Sequence, residues 1–229
     1  MEVRRVSLAL LLPGLLLAGA AAAHGVAEDD KLFIEGSAGA QLIPFLYLGA
    51  KHMVTGYDHL LFLFGVIFFL YRIRDVGLYV TLFAIGHSST LLYGVLSGTH
   101  VNPYIVDAII GLSVVYKALD NLGAFKTVFG VQPDNRAAVF IFGLFHGFGL
   151  ATKLQDFSLG SDGLVPNMLA FNVGVEIGQL LALTGILIAM GFWRRTSAFG
   201  RQAFAANVVL MSAGFLLTGY QLAGFYLND

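Results

Sequence analysis

From Gln41 to Tyr226 the chain is a succession of apolar runs, each about as long as a bilayer crossing. Roughly 20 apolar residues cross the hydrocarbon core as a helix. Backbone in lipid must satisfy its own hydrogen bonds, so the pattern restricts the chain to a helical bundle. Six segments are read, at Gln41–Tyr71, Val76–Leu96, Pro103–Leu119, Ala137–Thr152, Val165–Trp193 and Ala203–Tyr226. The first is long for one crossing, and Gly56 near its middle predicts a break, with a second helix starting near Tyr57. Composition agrees: 12% of residues are charged, against about 25% in soluble domains. The expected fold is an all-α, polytopic membrane helical bundle of about six transmembrane helices. It forms one membrane domain over residues 41–229.

Residues 1–23 read as a cleaved signal peptide, with Arg4 and Arg5, a short apolar core and an alanine-rich end. Cleavage after Ala23 makes His24 the first mature residue, where its free amine and imidazole form an external metal-capture chelate. Residues 24–40 are then a short exported segment. With that N-terminus outside, Arg72, Arg74, Lys126, Arg136, Arg194, Arg195 and Arg201 fall on the cytoplasmic side, with Lys117 nearby. Only Lys31, Lys51 and Lys153 fall on the exported side. This satisfies the positive-inside rule and predicts an even number of crossings, in the bacterial inner membrane, with both mature termini exported. Six crossings make a three-plus-three repeat conceivable, but the two halves show no convincing self-similarity.

A net charge of −1 gives no nucleic-acid footprint, and the absence of cysteine excludes thiolate metal sites and cysteine nucleophiles. The chemistry therefore rests on ionisable side chains at membrane depth, which cost roughly 2.5–3.5 kcal/mol each on insertion scales and usually mark sites or pathways. In KHMVTGYDHLLFLFG, His52 and His59 are seven residues apart. On a straight helix that separation is about 10 Å, too far to share an ion, so a break at Gly56 is needed to bring them together. Asp58 is either a ligand, a hydrogen-bond partner for a ligating histidine, or a helix cap. His87 in GHSST and His146 in FGLFHGFGLA lie mid-span, and Ser88 is a hydroxyl neighbour.

Asn172, Glu176 and Gln179 form a polar stripe at i, i+4 and i+7 that is expected to face the bundle interior. An interhelical hydrogen-bond seam would account for Asn172 and Gln179, but Glu176 needs a cation or a proton. Asp107 either guards an entrance or pairs with the exported loop. Imidazole with carboxylate is the donor set for nickel, cobalt and zinc, with copper admitted by Met53 and Met168. The partners expected are thus a metal ion and the lipid bilayer, with no nucleic acid; a second copy or an accessory subunit stays open.

The motifs H-x5-D-H (His52, Asp58, His59), AIGHSSTL, GLFHGFG and FNVGVEIGQ resemble the HupE/UreJ proteins, closest to the second, divergent branch. The resemblance runs from about residue 41 to the last span. It implies a six-span bacterial inner-membrane permease, with relatives encoded beside hydrogenase or urease genes and linked to nickel or cobalt uptake. It also implies metal-motif roles for His52, Asp58, His59, His146 and Glu176. The better-studied branch has a second histidine and an acidic residue soon after FHG, where this chain runs on as FGLATKL.

The leading expectation is a divalent metal permease with a midplane site of His59, His87, His146 and Glu176, reached past His24 and His52. Two alternatives stand beside it: an intramembrane zinc-dependent hydrolase using Asp58, Ser88 and the histidines, and a non-catalytic assembly subunit.

Overall fold

In a computed structural model, the residues described are Ile34, Gly36, 39–155 and 162–228. The signal segment and His24 lie outside them. The described residues form helices and no strands. The helices are α1 (Leu42–Thr55), α2 (Tyr57–Ile67), α3 (Ile73–Ser97), α4 (Pro103–Asn121), α5 (Ala124–Phe129), α6 (Asn135–Gln155), α7 (Leu164–Arg194) and α8 (Ala198–Asn228). The chain is an all-α membrane bundle. α3, α6, α7 and α8 are each long and apolar enough to cross a bilayer. Their outer faces expose side chains such as Ile141, Leu181, Phe204 and Phe215, which suits lipid rather than water.

The first segment breaks at Gly56, as its glycine predicted. α1 ends with the Gly56 N–H donating to the His52 carbonyl, and Leu60 N–H begins α2 on the Gly56 carbonyl. A side chain at Gly56 would put its Cβ 2.8 Å from His59 Nδ1, so the break and the placement of His59 require the same residue. At its other end α2 runs out beneath Arg194, whose guanidinium donates to the carbonyls of Ile67, Phe68 (2.7 Å) and Leu70 (2.9 Å). One charged side chain from α7 thereby adds donors to the carbonyls at the end of a short helix, that of Ile67 also accepting the Leu70 N–H.

Local chemistry fixes the other ends. Asn102 caps α4 by accepting from Tyr104 N–H, ahead of Pro103. Asp134 accepts from the Arg136 amide at the start of α6. α5, a short helix that the hydropathy pattern did not show, is bracketed by Gly123 and Gly130 in left-handed conformations.

Three helix pairs hold the bundle, and glycines set their spacing. α1 runs parallel to α7, with Gly174 against the Leu46 carbonyl and Gly178 against Ala50. α3 runs parallel to α6, with Gly143 against Phe83 and Gly147 against His87. α4 runs antiparallel to α8, with Gly111 against Thr218 and Gly214 against Val115. An added Cβ at Gly147 or Gly174 would stand 2.0 Å from a carbonyl oxygen of the neighbouring helix. Only bare backbone permits that approach, as in small-residue packing of membrane helices. The starts of α1 and α7 are also tied, by Gln41 N–H donating to Asn167 Oδ1 and Asn167 Nδ2 donating to the Gly39 carbonyl.

Candidate metal centre

The break at Gly56 turns His59 back toward His52, and their ring centroids stand 5.1 Å apart. The parallel α3 and α6 bring His87 and His146 to the same place, 5.7 and 5.0 Å from the His59 ring. His59 is therefore the hub of four imidazoles from four helices. The ligand nitrogens of His52, His59 and His87 all lie within 4.8 Å of one another. Bonds of about 2.1 Å to one tetrahedral ion place nitrogens about 3.4 Å apart, so closing on an ion takes a movement of about 1.5 Å at most.

The depth of the cluster is decisive: His59 is 2% exposed, His146 1% and His87 0%. Phe62, Phe83 and Phe142 pack around the rings, with Phe62 and Phe83 5.2 and 5.0 Å from the His146 ring. Within this apolar shell, His59 Nε2, His146 Nε2, His52 Nε2 and both nitrogens of His87 have no hydrogen-bond partner. An unsatisfied buried polar group costs about 1–3 kcal/mol, and several converge here.

Hydrogen bonds from the other ring nitrogens set which lone pairs face inward. The Phe142 carbonyl can only accept, so His146 Nδ1–H donates to it at 2.7 Å and Nε2 keeps a lone pair. His59 Nδ1–H donates to Asp58 Oδ1 at 3.0 Å, leaving Nε2 likewise. The same Asp58 oxygen accepts the His59 backbone N–H at 2.9 Å. Asp58 thus orients the His59 ring through its far nitrogen, as carboxylates do for metal-binding histidines in metal proteins. Gly56, not Asp58, is the N-cap of α2; Asp58 lies in the first turn and its side chain serves the His59 ring and backbone N–H.

The remaining candidates separate. Asp107 is buried but bound by Lys153, whose ammonium reaches both carboxylate oxygens at 2.8 and 3.1 Å. Ser88 has a buried hydroxyl without a partner. Gln179 donates across to the Val80 carbonyl of α3, whereas Asn172 donates within its own helix to the Met168 carbonyl and leaves its Oδ1 without a partner, so of the two only Gln179 makes an interhelical bond. Glu176 is not brought to the cluster and is exposed on α7. The reason is local: Gly174 and Gly178 face α1, and Glu176, two residues from each, points about 160° away from both. Met53 and Met168 are buried in the apolar core.

Two features were not read from the sequence. One is the phenylalanine shell, because Phe62, Phe83 and Phe142 are indistinguishable from lipid-facing residues in an apolar run. The other is a polar cavity of about 240 Å³ near the ends of α2 and α4, lined by Lys117, Asp120, Asn121, Gln132 and Asn135. Lys117, by sequence a charge near a helix end, is 4% exposed and paired to Asp120 at 2.6 Å.

Fold and centre together define a polytopic helical membrane protein with a buried histidine cluster whose free nitrogens suit a transition metal. A family model described as HupE / UreJ protein, that family's second branch, matches residues 28–229, and the chain belongs to that family. Neither curated proteins nor solved structures show a match to the chain.

Proposed function

We infer that the chain is a permease for a divalent transition metal ion, nickel or cobalt first, with the ion held by His52, His59, His87 and His146. One observation carries the reading: imidazoles from four helices converge on His59, and the ligand nitrogens of three of them, His52, His59 and His87, lie within 4.8 Å of one another. Neutral imidazole suits borderline divalent metals, and zinc or copper would also be accepted by it. Family membership supports the reading, since HupE/UreJ proteins are associated with nickel and cobalt transport. A carrier must release what it binds, and a cluster that needs to tighten around its ion meets that need.

The proposed orientation follows the charge asymmetry, with the membrane domain at 41–229 in the inner membrane and both mature termini exported. The ion then enters past Asp107 and Lys153 toward His52, with His24 as an outer chelate. It leaves toward the polar cavity beside Asn121 and Asn135, which lies on the other side of Phe62 and Phe142. The hydrolase reading asks for an open, wet position on the metal; the phenylalanine shell favours transport instead.

The test is accumulation of nickel, cobalt and zinc in cells expressing wild type or His59→Ala. Loss of accumulation in the variant is expected. Equal accumulation of all three ions in both would end the permease reading.

A further inference from the structure

The helix pairs that hold the bundle are related to one another residue by residue. An added Cβ on Gly86 of α3 would meet the Phe140 carbonyl and the Leu144 amide of α6. On Gly174 of α7 it would meet the Leu46 carbonyl and the Ala50 amide of α1. The spacing between the two contacted residues is the same in both pairs. In return, Gly143 of α6 meets the Phe83 carbonyl, and Gly49 of α1 meets the Phe171 carbonyl.

The correspondence continues one turn further. Thr90 Oγ1 donates to the Leu144 carbonyl, while Gly178 faces the Ala50 carbonyl. The third pair is reciprocal with itself: Gly111 of α4 faces Gly214 and Thr218 of α8, and Gly214 faces Gly111 and Val115. Every one of these contacts survives exchanging α1 with α6, α3 with α7 and α4 with α8. α2 ends beside the end of α4, whereas the end of α6 lies beside its start, so the halves are inverted.

Under this exchange His52 falls on His146, and their ring neighbours also correspond, Phe171 beside His52 and Phe83 beside His146. Gly56 falls on Leu150, next to Gly149. There the symmetry fails: the first half breaks, while α6 continues unbroken to Gln155. Asp58 falls on Thr152 and His59 on Lys153.

We propose that the chain is two inverted three-span repeats, α1–α4 and α6–α8, and that it moves its ion by passing the helix break from Gly56 in one half to Gly149–Leu150 in the other. This rests on the permease reading above. Inverted repeats are a common basis for alternating access, with the ion site between the halves. Here the exchange also explains release. Straightening α1 and α2 into one helix separates His52 from His59 by about 10 Å, which dismantles the cluster. Bending α6 at the same moment turns Lys153 toward His146, as His59 is now turned toward His52. Its ammonium leaves Asp107 and takes the place of the departing cation.

The chain contains no cysteine, so introduced pairs report alone. One spin-label pair, Ile43→Cys with Phe69→Cys, brackets the present break; the other, Arg136→Cys with Gln155→Cys, brackets the proposed one. Pulsed dipolar spectroscopy in lipid vesicles, without metal and with saturating zinc, should show two states. In the second state the first distance lengthens and the second shortens together, and zinc shifts the population toward the first. Lys153→Gln should lose zinc uptake while keeping zinc affinity. A single α6 distance under all conditions, in vesicles that take up zinc, overturns the proposal and leaves the permease reading standing. Unchanged uptake by Lys153→Gln overturns the part given to Lys153. Wild-type vesicles that neither bind nor take up zinc, nickel or cobalt overturn the permease reading itself, and this proposal with it.

Discussion

Two polar clusters lie inside this bundle, and they treat their hydrogen-bonding capacity in opposite ways. Near the ends of α2 and α4 most of the capacity is spent on the protein, although Asn135 Oδ1 has no partner. Lys117 and Gln132 both donate to Asp120. Asn121 donates to the Gly65 carbonyl and to Asn207, which donates in turn to the Ala203 carbonyl. At the histidine centre the outer nitrogens of His59 and His146 are anchored and the inner ones are left free. A largely satisfied cluster fixes helices against each other; a set of inward-facing free nitrogens in an apolar shell is an appetite for a ligand. Burial and polarity alone do not distinguish them.

The comparison breaks most sharply under mutation. Lys117→Ala removes one partner of a buried ion pair, which costs about 3–5 kcal/mol. Its expected result is a large drop in the thermal midpoint of the purified protein, with metal affinity per folded molecule unchanged. His59→Ala should do the reverse. Loss of even a supporting partner costs 10–100-fold in affinity, so loss of the hub ligand should exceed about 100-fold, read by equilibrium dialysis with nickel, with the midpoint kept. If both variants lose stability alike, the histidines are structural and the contrast is false.

Smaller effects sharpen the same division. Asp58→Asn keeps the shape but weakens the hold on His59 Nδ1–H, and should cost about 10–100-fold in nickel affinity. Affinity should also fall as the pH is lowered, because an imidazole must give up its inner proton before it ligates; titrating nickel binding at several pH values checks the sign. Glu176→Gln, outside both clusters, should leave affinity within about twofold, far less than one lost ligand of this kind. A large loss there would show that α7 rotates Glu176 into the centre in another state.

The helical segments, the break at Gly56 and the meeting of the His52, His59, His87 and His146 rings were legible because each leaves a periodic or costly mark in the sequence. Gly56 also showed that His52 and His59 could meet. What was not legible depends on rotation about a helix axis. Asn172, Glu176 and Gln179 form a stripe at helical spacing, yet the glycines facing α1 leave Asn172 and Gln179 buried and Glu176 exposed. The correspondence of the halves was hidden for a related reason. It is carried by backbone contacts at Gly49 and Gly143, Gly86 and Gly174, and Gly111 and Gly214, while most side chains between them differ.

Asp58 Oδ1 holds two hydrogens at once, the ring N–H of His59 and the backbone N–H of the same residue in the first turn of α2. One oxygen atom is therefore shared between the winding of a helix and the aim of a ligand. Whatever tightens the first turn of α2 also steadies the nitrogen offered to the ion, and by reciprocity an ion drawing on that nitrogen steadies the turn. Metal occupancy and local folding then become a single equilibrium read from either end. Amide hydrogen exchange at the start of α2 would report it without any measurement on the metal itself.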